Sequence, residues 1–143
     1  MFYHHILVAF DGSKASEKAL QHAIKIIEDN PGSRLTVAHA DYRPTFAIAG
    51  LGWITPEGYH EQLQEYEDAL LQHAKDLIAE LPFADLVVLT GDPATVILEH
   101  AEKSNSNLIV MGSRGLGAFK EWMLGSVSHH VVQQSKIPVL IVK

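Results

Sequence analysis

Residues 108–128, LIVMGSRGLGAFKEWMLGSVS, are the stretch that decides the fold. The stretch opens with a short apolar run, continues through four glycines, and leads into residues that recur at helical spacing. Such an order predicts a buried strand, a glycine-rich loop and a helix. The same alternation of short apolar runs and longer amphipathic segments extends outward over the rest of the chain.

The alternation predicts five strands separated by four helices. Strands are predicted at 6–10, 35–40, 86–89, 108–111 and 139–142, and helices at 15–27, 63–78, 94–103 and 127–134. Because the strands are continuously apolar, both faces of the sheet are expected to be covered, and the helical crossovers make neighbouring strands parallel. The sequence therefore predicts an α/β fold, a doubly wound open sheet of Rossmann-like type.

Length and composition limit the function classes. The 143 residues are expected to form a single domain, 1–143, with an apolar loop at about 42–57. A net charge of −6 provides no basic field for nucleic acid or anionic membranes, so neither partner is expected. The absence of cysteine excludes a disulfide framework and a catalytic thiol. No signal peptide or long apolar span is found, so a cytoplasmic location is expected.

The loop after the fourth predicted strand carries a pattern typical of phosphate binding. Gly112 and Gly115 are followed, after nine residues, by Gly125 and Ser126 at the start of the last helix. Glycines allow backbone N–H groups to approach an anion, and a helix start adds unpaired donors. Ser126 either caps this helix or turns its hydroxyl to a phosphate, and Ser128 lies in the same first turn.

Two better-known phosphate motifs are excluded. No Walker A pattern occurs, and Gly115-Leu116-Gly117 lacks the third dinucleotide-binding glycine because Lys120 occupies that place. An alternative is that the glycines only punctuate a long loop. Three glycines and a hydroxyl at set spacing favour the phosphate interpretation.

The sequence resembles the universal stress proteins, and specifically their ATP-binding branch with the motif G-2x-G-9x-G-[ST]. Gly112, Gly115, Gly125 and Ser126 match this motif, and Met-Gly-Ser, Leu-Gly-Ser-Val and Pro-Val-Leu-Ile-Val also agree over a resemblance from residue 5 to residue 143. The resemblance implies five parallel strands in the order 3-2-1-4-5. It also implies a homodimer through strand five and an adenine nucleotide, ATP or AMP/ADP, across the ends of strands one, two and four.

The resemblance also assigns site residues. The first-strand acid is Asp11, Ala40 faces the adenine where relatives often have valine, and Met111 lies beside the base. The full nucleotide-binding set is Ala9, Phe10, Asp11, Ala40, Met111, Gly112, Arg114, Gly115, Gly125, Ser126, Val127 and Ser128.

The side chain of Asp11 has two possible roles. A carboxylate beside a triphosphate indicates a sugar contact or a divalent cation shared with the phosphates, so Asp11 suggests Mg²⁺ when ATP is bound. Alternatively, Asp11 caps the first helix. Arg114 and Lys120 are the loop cations that can pair with phosphate, and Lys120 is expected at the surface. The nine histidines form no ligand pattern that predicts a dedicated metal site.

Two apolar segments suggest further contacts. Residues 46–54 are expected to cover the nucleotide, a partner surface or the sheet itself, and Trp122 is interpreted as a packing anchor. Strand five, at 137–142, is apolar and is expected at the sheet edge. A symmetric pairing of that edge predicts a homodimer.

Three functions remain open from the sequence. The first is a dimeric adenine-nucleotide sensor or regulator of the stress response with at most slow hydrolysis or autophosphorylation, because only Glu121 is a candidate base near the γ-phosphate. The second is a nucleotide-independent interaction module with a vestigial pocket. The third is a nucleotidyl or phosphoryl transferase.

Overall fold

The structure, a computed structural model, describes residues 2–42, 46–48, 52–54, 58–114 and 124–143. Its strands are β1 (His5–Ala9), β2 (Arg34–Asp41), β3 (Phe46–Ile48), β4 (Gly52–Ile54), β5 (Ala84–Thr90), β6 (Leu108–Gly112) and β7 (Val139–Val142). Its helices are α1 (Lys14–Glu28), α2 (Tyr59–Ile78), α3 (Pro93–Lys103) and α4 (Ser126–Gln134). In the described part of the chain, no helix combines the length and apolar character needed to span a bilayer.

Five strands form one parallel sheet in the order β5-β2-β1-β6-β7. This arrangement confirms the predicted order 3-2-1-4-5, because β5, β6 and β7 are the third, fourth and fifth predicted strands. The bounds of the strands predicted from continuous apolar runs differ from the observed bounds by at most two residues.

The segment predicted as an apolar loop at about 42–57 contains a short antiparallel ribbon instead of loop alone. β3 and β4 pair with each other, three residues from each strand. Runs of three residues are too short to show the period of two that marks a strand in a sequence. The other residues of this segment, 43–45, 49–51 and 55–57, lie outside the described residues.

Two helices cover each face of the sheet. α1 and α2 pack on one face around Ile6, Val8 and Val110, and α3 and α4 pack on the other face around Leu7 and Ile109. The side chains of β1 and β6 are buried on both faces, as predicted. The edge strands depart from this expectation, because Val88 on β5 is 48% exposed and Leu140 on β7 is 37% exposed.

At the amino end of the sheet, Asn107 joins the first residues of the chain to the start of β6. Its Oδ1 accepts hydrogen bonds from the N–H groups of His4 and His5, both at 3.1 Å. Its Nδ2 donates to the carbonyl oxygen of Phe2 at 2.8 Å. The side chain of Asn107 thus provides hydrogen-bond partners for the backbone N–H groups of His4 and His5 and for the backbone carbonyl group of Phe2.

His5 connects three elements at the same end of the sheet. Its Nδ1 lies 3.0 Å from the carbonyl oxygen of Ser104, and its Nε2 lies 2.9 Å from the hydroxyl of Thr36. The Thr36 hydroxyl donates to Asp85 Oδ1 at 2.8 Å. Burial lowers the pKa of His5, which favours the neutral imidazole in the folded protein.

Candidate functional site

A cavity of about 270 Å³ opens at the carboxyl ends of β1, β2 and β6. Ligands of doubly wound sheets bind at this edge, where the winding direction reverses. Eleven of the twelve predicted nucleotide-binding residues line the cavity, namely Ala9, Phe10, Asp11, Ala40, Met111, Gly112, Arg114, Gly125, Ser126, Val127 and Ser128. The twelfth, Gly115, lies outside the described residues, as do Lys120, Glu121 and Trp122.

Four lining residues were missed by the sequence analysis, namely Ser16, Ala38, Pro93 and Ile97. One of them, Ala38, could have been found from the sequence. Ala38 precedes Ala40 by two residues, so both point to the same face of β2. Pro93 and Ile97 lie four residues apart on α3 and share a helix face, but only the tertiary structure brings that face to the cavity.

The first loop of the cavity is shaped by the side chains of Asp11 and Ser13. Asp11 Oδ1 accepts the N–H of Ser13 at 2.9 Å, and Gly12 between them has a φ of +84° that favours glycine. Ser13, rather than Asp11, caps α1, because its hydroxyl oxygen accepts the N–H of Ser16 at 3.1 Å. The alternative in which Asp11 caps the helix is therefore wrong, and its carboxylate remains part of the cavity wall.

The peptide between Phe10 and Asp11 is held from both sides of the loop. The N–H of Phe10 donates to the carbonyl oxygen of Ala38 at 2.9 Å, and its own carbonyl oxygen lies 3.0 Å from His39 Nδ1. The N–H of Asp11 donates to the hydroxyl of Ser16 at 3.4 Å. These contacts set the direction in which the Asp11 side chain leaves the backbone.

Gly112, the first glycine of the motif, lies against the start of α1. A Cβ at this position would lie 2.7 Å from the Cβ of Ala15 and 2.8 Å from its carbonyl carbon. Backbone atoms in a packed helix cannot move aside easily, so a larger residue would displace α1. Helix packing therefore requires glycine at Gly112 independently of any ligand.

The start of α4 presents backbone donors to the cavity. Gly125 is the N-cap residue, with no side-chain cap, and its N–H donates to the carbonyl oxygen of Ser113 at 2.7 Å. The next three N–H groups, of residues 126–128, make no hydrogen bond to any described residue. Ser126 is the first residue of the helix, which rules out the proposed cap because a capping side chain must precede the first turn.

The hydroxyl of Ser128 forms hydrogen bonds with the backbone at the start of α4. It lies 2.9 Å from the carbonyl oxygen of Ser113 and 3.1 Å from that of Gly125, and donates to these acceptors. Ser113 in turn donates its N–H to the carbonyl oxygen of Val142, at the end of β7, at 2.8 Å. The resemblance assigned Ser128 to the nucleotide-binding set, and in the structure its hydroxyl donates its proton to the backbone.

Charges around the cavity differ from one wall to the other. Asp92 caps α3 by accepting hydrogen bonds from the N–H and the hydroxyl of Thr95, which lower the pKa of its carboxyl group. The start of α3 is therefore already occupied by a carboxylate. Arg114, in contrast, lines the cavity on the side of β6 and α4. An anion is favoured on the α4 side of the cavity and disfavoured beside Asp92.

Comparisons with known proteins agree with this fold. The model of the universal stress protein family matches residues 2–143. Universal stress protein YxiE of Bacillus subtilis is 36% identical, over 99% of this chain and 99% of its own. The structure of universal stress protein UspA from Lactobacillus plantarum superposes with a TM-score of 0.74, at 24% identity over 100% and 99% of the two chains, which shows the fold.

A second solved structure is that of a universal stress protein in complex with cAMP. It is similar with a TM-score of 0.73, at 25% identity, over 100% of this chain and 99% of that one. The family model covers nearly the whole chain, and the Bacillus relative agrees over nearly the same length. The chain belongs to the universal stress protein family.

Proposed function

We propose that the cavity binds an adenine nucleotide, ATP or AMP/ADP, and that the protein belongs to the ATP-binding branch of its family, acting as a nucleotide sensor or regulator in the stress response. The observation that carries the proposal is the start of α4, where three backbone N–H groups without partners among the described residues face a cavity with an apolar opposite wall. A helix start of this kind attracts phosphate through its donors and its dipole.

The apolar wall suits a purine base. Ala38 and Ala40 from β2, Met111 from β6, and Pro93 and Ile97 from α3 border the same cavity. Small side chains on β2 leave room for a flat ring, and the sulfur and methyl groups of methionine adapt to an aromatic face. The base is therefore proposed to lie between β2 and α3, with its phosphates toward α4.

Asp11 fits a ribose or a cation bound together with the phosphates. Its Oδ1 is engaged by the N–H of Ser13, and no described residue donates a hydrogen bond to its Oδ2. The described residues contain no cluster of three or more potential metal-ligating side chains, so a cation would need phosphate oxygens as further ligands. Mg²⁺ is proposed to bind only with ATP, as a charge-neutralising ion.

A sensor explains the lining residues better than a fast enzyme does. Among the described lining residues, Asp11 is the single carboxylate and no histidine is present. Rapid hydrolysis requires a group that positions or deprotonates water near the γ-phosphate, whereas the Asp11 carboxylate is engaged by the N–H of Ser13 and is proposed to hold the ribose or the cation. ATP is therefore proposed to be hydrolysed slowly at most.

A dimer through the β7 edge completes the proposal. β7 is a terminal strand of the sheet, and Leu140 on β7 and Val132 on α4 are exposed apolar side chains. An open edge beside exposed apolar groups favours pairing with a second copy related by twofold symmetry. The end of β7 also bonds Ser113, so such a dimer would contact the loop that leads to the cavity.

The universal stress protein that was solved with cAMP offers a precedent for an adenine ligand in this fold. Isothermal titration calorimetry with ATP, ADP, AMP, cAMP and GTP, with and without Mg²⁺, tests whether this chain binds one. The variant Ala40→Trp places an indole at the base wall and should abolish binding. Ala69→Trp, at an exposed position on α2, adds the same side chain elsewhere and should bind normally.

Three outcomes separate the candidate functions. Adenine-selective binding that Ala40→Trp removes and Ala69→Trp keeps supports the sensor, provided that turnover is slow. Fast turnover in the presence of an acceptor would favour a transferase. If the folded protein binds none of the nucleotides, the proposal is wrong and the nucleotide-independent interaction module is favoured.

A further inference from the structure

His39 lies directly behind the cavity, on the opposite face of β2 from Ala38 and Ala40. Its side chain is buried and faces α2. Nδ1 lies 3.0 Å from the carbonyl oxygen of Phe10, and Nε2 lies 3.5 Å from Oε1 of Glu67 on α2. One imidazole thus connects the end of β1, which lines the cavity, to a helix that does not.

The contact with Phe10 determines where the proton of a neutral His39 lies. A carbonyl oxygen only accepts hydrogen bonds, so Nδ1 must carry a hydrogen. A neutral ring then turns the lone pair of Nε2 toward the carboxylate of Glu67. Nε2 has no hydrogen-bond partner within the described residues, and the two side chains are only 9% and 12% exposed.

One additional proton converts this contact from repulsive to attractive. A buried polar atom without a partner is costly, and a lone pair facing a carboxylate adds electrostatic repulsion. With a proton between Nε2 and Oε1, the two groups form a charge-assisted hydrogen bond. The two groups share this one proton, so the contact is complete only when the proton is present.

α2 also contacts the first loop of the cavity directly. A Cβ on Gly12 would lie 2.8 Å from Cδ1 of Leu70 and 3.6 Å from the hydroxyl oxygen of Tyr66. The position of α2 therefore affects the turn that carries Asp11. Besides Glu67, the titratable groups on the neighbouring elements are Asp41, two residues after His39 on β2, Tyr66, which precedes Glu67 on α2, and Asp11, which follows Phe10.

We propose that His39 is a positioning residue for the cavity and that the His39–Glu67 pair is a proton-dependent contact that couples ligand binding to pH. Uptake of one proton fastens α2 to β2 and fixes the Phe10 carbonyl, which orients the Asp11 loop. Loss of that proton separates Glu67 from His39 and loosens the loop. Nucleotide affinity, which rests on the proposed function, is therefore higher on the acidic side of the transition.

The variant Glu67→Gln tests whether the contact between α2 and His39 depends on the proton. A glutamine amide donates a hydrogen bond to the lone pair of a neutral imidazole, so the contact would persist without proton uptake. Glu65→Gln is the matched control, because it makes the same exchange at an exposed position of α2. The affinity for ATP is measured by calorimetry at fixed free Mg²⁺ from about pH 5.5 to about pH 8, where imidazoles change charge.

Wild type and Glu65→Gln should lose affinity on the order of threefold to tenfold across this range, the effect of one hydrogen bond. Glu67→Gln should vary less with pH and should bind more tightly than wild type at the alkaline end. Protonation of ATP itself affects all three proteins equally. An identical pH profile for Glu67→Gln and wild type would overturn the proposal.

A second measurement separates this proposal from the proposed function. Nitrogen-15 NMR of nucleotide-free protein reports the protonation of each ring nitrogen of His39. Wild type should show a proton on Nε2 that is lost within the titrated range, and Glu67→Gln should show only Nδ1 protonated throughout. A wild-type Nε2 that never carries a proton refutes the pair, even if ATP binds. If no nucleotide binds at any pH, the proposed function fails and the NMR titration still decides the proton-dependent contact.

Discussion

The two ends of the five-stranded sheet use similar polar residues in different ways. At the amino end, Asn107, His5 and Thr36 form hydrogen bonds with the backbone and with one another. At the carboxyl end, Asp11 and the first backbone N–H groups of α4 surround a cavity. The first end is closed by its own side chains, and the second keeps donors in reach of a ligand.

Helix starts show the same contrast within the carboxyl end. α1 and α3 are capped by the side chains of Ser13 and Asp92, whereas the N-cap residue of α4, Gly125, provides no side-chain cap. A capped helix start is stabilised by its own chain, and an uncapped one can be stabilised by an anion. The position of a polar residue relative to these starts, rather than its type, therefore indicates whether it serves the fold or a ligand.

The largest effect is expected for Gly112→Ala, which tests whether this motif glycine serves packing. The new Cβ would collide with Ala15 and its backbone, so we expect the free energy of unfolding to fall by about 2–3 kcal/mol. The unfolding midpoint should fall by roughly 5–10 °C. Chemical and thermal denaturation without nucleotide measure both quantities.

Gly58→Ala provides the control for that prediction. Gly58, unlike Gly112, has a positive φ, of +76°, and no heavy atom lies within 4 Å of its hypothetical Cβ. Only the left-handed backbone is penalised there, at about 1 kcal/mol. Equal stability of the two variants would show that the contact with Ala15 relaxes easily and that glycine at position 112 serves another purpose.

An intermediate effect, with opposite signs for stability and binding, is expected for Ser126→Asp. An acidic residue in the first turn of α4 should stabilise the free protein by about 0.3–1 kcal/mol through the helix dipole. The new carboxylate should lower the affinity for ATP on the order of tenfold, because it repels the phosphates. Denaturation and calorimetry measure the two effects, and Ser126→Asn keeps the size without the charge. An unchanged affinity for Ser126→Asp would place the phosphates elsewhere.

The smallest effect is expected at the closed end, for the pH dependence of His5→Gln. The lowered pKa of His5 means that the folded state binds fewer protons than the unfolded state. The stabilising contribution of the neutral ring is thus present above the usual pKa of about 6.5 and is lost as pH falls through the lower folded value. The free energy of unfolding of wild type should therefore decrease more between about pH 7 and about pH 5 than that of His5→Gln.

ATP affinity provides the control for His5. The residue lies at the far end of the sheet from the cavity, so His5→Gln should leave the affinity of the folded protein unchanged. A parallel loss of stability in wild type and variant would show that other groups control the acid transition. The expected effects of acid at His5 and His39 are opposite. Protonation of His5 lowers the stability of the fold, whereas protonation of the His39–Glu67 pair completes the proposed contact and raises nucleotide affinity.

Much of the site could be predicted from the sequence, although partly for the wrong reasons. Gly112, from the motif, and Ser128, from the resemblance, were both predicted at the site, and both line the cavity. Bare backbone for an anion was the reason assumed for the glycine, whereas Ala15 of α1 is its close neighbour. Ser128 was assigned to the nucleotide-binding set, but the carbonyl oxygen of Ser113, fifteen residues earlier in the chain, accepts a hydrogen bond from its hydroxyl. Spacing along a chain carries no information on such distant neighbours.

The sequence by itself determined the parallel doubly wound sheet, its family and the loops that meet at its carboxyl edge. These features follow from local periodicity and from glycines at fixed spacing, which are readable along the chain. Only the tertiary structure decided that Pro93 and Ile97 border the cavity, that Asp11 shapes a turn, and that His39 meets Glu67. Each of these contacts depends on how helices cross the sheet, and packing between elements distant in sequence leaves no local pattern.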